Sequence, residues 1–231
     1  MRTALIGLML FLMASTSVEA GAWLREKGSG FFSVSGTIRS FSDRMGQENG
    51  LYLEYGLTPR LTAGIDINQG DSNSGHGAVF VRFPLGKVQG QNRFAVEFAV
   101  GAHYQGLTVA PMHKVTLAYG RSLETPLGPG WLAIDLAAEQ RRGNPGTTAK
   151  LDATLGFSGE KKLQPMLQLE TSRAPSGALN WAVTPSLRLA RKNSVTWVFG
   201  VERKYAGKHS VGLKFAIWKR FASKKKGGDH E

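Results

Sequence analysis

The chain has 231 residues, no cysteine and a formal net charge of +12. These values exclude a disulfide framework and thiolate-bound zinc, and they leave room for one all-β domain or two small ones. A strongly basic balance points to nucleic acid, anionic lipid or anionic solutes. Nucleic acid is the weakest of the three, because the chain has no helical recognition pattern and no RNA-binding signature.

Residues 1–20 carry one early positive charge at Arg2, an apolar run over 4–14, and small side chains at Val18 and Ala20. That order of features predicts a secretory signal peptide cleaved before Gly21. Cleavage removes one base, Arg2, and one acid, Glu19, so the basic charge belongs to the mature chain. The apolar run is too short for a membrane-spanning helix, and no later stretch reaches about 18 uncharged apolar residues.

From Phe31 onward, alternating segments are separated by stretches rich in Gly, Pro, Asn, Ser and Asp. This pattern predicts twelve strands at 31–41, 51–56, 61–68, 77–83, 93–104, 114–122, 131–140, 150–157, 163–171, 179–190, 194–204 and 210–221. The spacing is that of an antiparallel meander, and the even count is what a bacterial outer-membrane barrel requires. Pro185 falls inside a strand and is expected at a bulge, whereas Pro165 fits a strand beginning. Residues 222–231, "ASKKKGGDHE", read as a disordered basic tail.

Each strand has two unlike faces. One collects Val79, Val81, Phe94, Phe98, Leu117, Leu136, Leu187, Phe199 and their equivalents, nearly free of charge. The other interleaves Arg82, Arg93, Glu97, His103, Lys114, Asp135, Lys150, Asp152, Glu170, Arg188, Glu202 and Lys214 with Gly, Ala, Ser and Thr. Alternation alone does not choose between a soluble sandwich and a membrane barrel. Three features favour the barrel. The polar face is often small, as at Thr62, Gly64, Ala99, Gly101, Thr116, Ala118 and Ala216, which suits a narrow lumen. Aromatics near strand ends (Tyr55, Phe83, Tyr104, Tyr119, Trp131, Trp181, Tyr205, Trp218 and Phe221) are placed as interfacial belts would be. Export delivers the chain to an envelope where a closed barrel leaves no backbone group unpaired in lipid.

The signal peptide, the alternation and a last strand "VGLKFAIWKRF" ending in an aromatic resemble Gram-negative outer-membrane β-barrel proteins of the porin-like or transporter-like class. The resemblance covers 21–221 and implies a single antiparallel up-and-down transmembrane β-barrel. It also implies outer-membrane lipid and lipopolysaccharide as surroundings, and the barrel assembly machinery as a partner in biogenesis. "GAWLREKGSGFFSVSG" looks like a leading strand, and the connections leave little material for a large cap or plug.

The twelve charged positions of the polar face are the candidate lumen lining. They would either form a structural network or mark a path for small polar solutes, anions among them. Three functions follow as expectations: a narrow passive channel or uptake pore, a non-conducting structural or interaction barrel, and a lipid-modifying barrel enzyme. Catalysis ranks last, because His103 is the one histidine in a predicted strand, faces the lumen, and no Gly-x-Ser-x-Gly elbow is present. No cofactor and no metal site is expected; "GDSNSGH" near His76 lacks calcium-loop spacing and reads as a solvated turn.

Overall fold

A computed structural model describes residues 21–41, 44–70, 73–126, 128–159, 162–191 and 194–222. The expected signal peptide and the tail beyond Ala222 lie outside these residues. Twelve strands run in chain order: β1 (Ser29–Ser40), β2 (Met45–Thr58), β3 (Leu61–Gly70), β4 (Ser74–Pro84), β5 (Asn92–Gln105), β6 (Thr108–Thr125), β7 (Gly128–Arg141), β8 (Thr147–Phe157), β9 (Leu163–Arg173), β10 (Asn180–Ala190), β11 (Val195–Ala206) and β12 (Lys208–Ala222). Every strand is antiparallel to its sequence neighbours, and β12 returns to β1 to close the barrel. Closure runs from Ser29 opposite Ala222 to Ser40 opposite Val211, so Ala222 belongs to the wall and not to the tail. The even count places both ends of the wall on one rim, here called the terminal rim.

Side chains sort by face in the sense opposite to a soluble protein. Phe98, Val100, Leu117, Phe199 and Leu213 are exposed on the outer wall, while Glu54, Arg82, Glu97, Arg188 and Glu202 are buried inside. An apolar outer belt over a sheet with no free edge is the solution that hydrocarbon imposes, because backbone donors and acceptors pair strand to strand within the wall. Among the described residues, no helix is long and apolar enough to cross a membrane.

Several sequence expectations shift. β2 starts at Met45 and not at 51, and β6 covers Thr108–Thr125, so most of "SDRMGQENG" and "QGLTVAPM" is strand. Beyond the apolar belt the wall stands in water, where polar residues pair their backbones as well as apolar ones, so loss of hydrophobic alternation does not mark a strand's end. What remains between β5 and β6 is Gly106 and Leu107, with Gly106 at φ +61°, the left-handed conformation a two-residue hairpin needs at its first central position.

Pro185 makes no bulge. It pairs with Leu167 on β9, and the register to β11 is the same on both sides of it, Val183 opposite Arg203 and Ser186 opposite Gly200. The proline leaves a gap in the β11 ladder without inserting a residue. The register shift recorded in the wall lies between Gly56 and Thr58 on β2.

Trp131 and Trp218 also leave the expected belts. Trp131 is almost wholly buried inside the barrel, and Trp218 lines the lumen. Both positions share parity with charged lumen residues, Asp135 and Lys214, and that parity outranks their nearness to a strand end. Trp181 and Tyr205 do pair near one rim, with ring centroids 6.4 Å apart.

Candidate functional site

The lumen is not filled by wall residues alone. Residues 21–27 precede β1, turn inward from the terminal rim and run up the inside of the barrel. "GAWLREK" is therefore no leading strand. A backbone hydrogen bond from Gly28 to the Gly56 carbonyl, 2.9 Å, and a bridge between Lys27 and Gly56 anchor its base. The Arg25 amide donates to Thr62 Oγ1 at 2.9 Å, and its guanidinium pairs with Glu54.

Trp23 is the apolar anchor of the segment. It lies edge-on to Trp131, centroids 6.3 Å apart, within a buried cluster that includes Ala95, Ala118, Ala133, Met166, Val198 and Ala216. The slot exists because Gly120 has no side chain: a β-carbon there would stand 2.5 Å from the indole. Burying an indole of this size contributes about 4–6 kcal/mol from area alone.

Around this segment the inward charges of the described residues form four groups. On β2, β4 and β5, Glu54 Oε1 accepts from Tyr52 Oη (2.6 Å) and from Arg82 Nη1 (2.5 Å), while Arg82 Nη2 donates to Glu97 Oε2 (2.5 Å). Lys114 stands 3.5 Å from Asp66 and 3.7 Å from Glu97. Toward the opposite rim, Arg39 pairs with Glu202 and, at 2.7 Å, with Glu48, which also receives Lys204 at 3.2 Å. Glu139 holds Arg141 and Lys150, each at 2.7 Å. Lys214 reaches Glu170 at 3.5 Å. Such groups satisfy one another and fix side-chain positions, at a desolvation cost comparable to their attraction.

Two cavities flank the N-terminal segment. The inner one, about 460 Å³, is lined by Gly21 and Arg25 from the segment and by Tyr52, Asp66, Arg82, Glu97, Lys114, Asp135, Glu139, Lys150, Asp152, Glu170 and Lys214 from the wall. The other opens at the terminal rim, measures about 670 Å³ and is lined on one side by Trp23 to Glu26. Among the described residues its charged lining is four arginines, Arg25, Arg93, Arg191 and Arg220, and one acid, Glu26.

Of the twelve positions expected to line the lumen, Arg82, Glu97, Lys114, Asp135, Lys150, Asp152, Glu170 and Lys214 meet in the inner cavity. Arg93 lies in the terminal cavity, with its guanidinium 5.9 Å from the Trp23 ring. Three face inward but border neither cavity. His103 bonds the Arg142 carbonyl through Nε2 at 3.1 Å. Glu202 is taken up by Arg39. Arg188 is sealed between the Trp131 and Trp218 rings, 5.8 and 5.9 Å from their centroids, and donates to the Phe157 carbonyl.

Sequence reasoning missed Arg25, Arg39, Glu48, Tyr52 and Glu139 as site residues. Parity with Asp135 would have found Glu139, and parity within β1 would have found Arg39. No periodicity marks Arg25, which precedes the first strand.

No protein-family model matches the chain, and no curated protein matches its sequence. Solved structures do. A KdgM porin superposes with a TM-score of 0.59 at 12% identity, over 82% of this chain and 99% of that one. A KdgM porin in complex with disordered oligogalacturonate gives 0.60 at 13% identity, over 82% and 99%. The NanC porin gives 0.55 at 13% identity, over 81% and 98%. The chain thus has the fold of these outer-membrane porins.

Proposed function

We propose that this protein is an outer-membrane channel for small polar solutes, with anions favoured. The observation that carries the reading is the pair of charged cavities inside a closed twelve-stranded wall, of which the one at the terminal rim presents four arginines against one glutamate. Porins of the same fold support it, one of them solved with an acidic oligosaccharide, oligogalacturonate. In this reading the terminal rim faces the periplasm, the outer belt sits in lipid, the opposite rim meets lipopolysaccharide, and β12 is read by the assembly machinery.

The lumen works without covalent chemistry. Side chains such as Lys114, Lys150 and Lys214 replace part of a solute's hydration, and their carboxylate partners keep them from holding it too tightly. The inner cavity is small, so the permeant class is monomeric or extended thin solutes. Purified protein in planar bilayers is the test. The expected result is discrete conductance with a reversal potential toward that of chloride in a salt gradient. Absence of conductance across a wide voltage range, also after deletion of residues 21–27, would leave a structural barrel as the reading.

A further inference from the structure

Gly21 lies about halfway along the lumen, beside the middle of β7. A β-carbon placed on it would stand 2.5 Å from Asp135 Oδ1 and 3.1 Å from Oδ2. Its α-nitrogen therefore lies within about 5 Å of that carboxylate, given the length of the bonds involved. Asp135 Oδ1 is buried and accepts no hydrogen bond from a described residue.

The neighbours of Asp135 sharpen the need. Asp152 stands opposite it in register on β8, and Glu170 stands opposite Asp152 on β9. Lys214 serves Glu170, Lys150 serves Glu139, and Arg82 is taken up by Glu54 and Glu97. Among the described residues, Asp135 and Asp152 are left side by side with no cation at ion-pair distance. Buried carboxylates in that position call for one.

The chain itself carries a cation to this point. Hydrolysis of the Ala20–Gly21 amide by a leader peptidase adds one water: Ala20 leaves as a carboxylate, and Gly21 keeps its nitrogen as a primary amine, which takes up a proton. We infer that the processed N-terminus is a working part of the lumen: the α-ammonium of Gly21 is the counter-ion of Asp135, and this pair latches residues 21–27 across the barrel as a plug. The identity of the first mature residue follows. A β-carbon there would stand where the Asp135 carboxylate is, and glycine has none. The latch stands independently of conduction; its role as a gate rests on the channel reading.

The test uses protein extracted from membranes in detergent. N-terminal sequencing comes first, with Gly21 expected as the start. A water-soluble amine-reactive ester then labels the folded protein, and mass spectrometry of the N-terminal peptide gives the rate. Gly21 is expected to label about tenfold slower in wild type than in Asp135→Asn, the factor of one charge-assisted hydrogen bond. A chain beginning at Ala20 leaves the wall unaltered and moves the amine off the carboxylate, so it too labels fast, and this keeps the test intact if the Asp135 variant misfolds. A different start, or equal rates in all three chains, overturns the inference. Conductance recorded on the same samples separates the two readings: slow labelling with no current in any chain keeps the latch and removes the channel.

Discussion

Arg82 Nη1 lies 2.5 Å from Glu54 Oε1, and both side chains are sealed from solvent, at 4% and 0% exposure. The same guanidinium holds Glu97, so one cation bridges two buried carboxylates on neighbouring parts of the wall. Removing it by Arg82→Met leaves Glu54 to Arg25 and Glu97 to Lys114, 3.7 Å away, and a destabilisation of about 3 kcal/mol, the lower end for a broken buried pair, is expected. The measurement is the urea midpoint for unfolding from lipid vesicles. Adding Glu97→Gln to the Met variant recovers part of the loss, since the carboxylate left with the more distant partner is gone and Lys114 keeps Asp66; a neutral effect of Arg82→Met would contradict this account.

Gly120 exists for Trp23. Gly120→Leu puts atoms into the indole's place, 2.5 Å from its ring at the first carbon, and expels the N-terminal segment from its slot. Trypsin added to the folded variant then cuts after Arg25 and Lys27, as seen by intact mass, while the wild type resists. The barrel itself stays closed, which heat-dependent migration on gels reports.

Outer-wall positions answer to lipid and not to packing. Phe98, half exposed in mid-strand on β5, is such a position. Phe98→Arg is expected to cost about 2–4 kcal/mol of folding stability in bilayers. A protein with this face in water would lose almost nothing, so a small change in vesicles would reverse the orientation assigned to the wall.

Charge at the terminal rim sets ion preference. Arg191 is exposed and lines the terminal cavity with Arg93 and Arg220. Arg191→Glu is expected to move the reversal potential in a salt gradient toward that of the cation, more strongly at low than at high ionic strength because screening weakens rim charges. An unchanged potential would place the selective region at the inner cavity.

The wall was legible in the sequence because its physics is periodic. Alternation exposed Phe94, Phe98 and Val100 on one face and placed Arg93, Glu97 and Gly101 on the other, and twelve such segments closed as expected. Strand ends such as Met45 and Thr108 were hidden, because above the lipid the backbone ladder continues without a hydrophobic signal. The partners of inward charges were hidden too. Arg39 meets Glu202, 163 positions away, through closure of β12 onto β1, and nothing local to either residue announces it. The plug was least legible of all: seven residues with one tryptophan and no period read as strand, and only the space left by Gly120 shows where the indole goes.

An even number of crossings returns the polypeptide to the rim from which it set out. Any peptide or reporter fused beyond Ala222 is delivered to that same compartment, whatever its sequence. An epitope meant for the other compartment must be spliced into a hairpin tip such as Gly106–Leu107 or Gly207, where the backbone already reverses and no inward charge is disturbed.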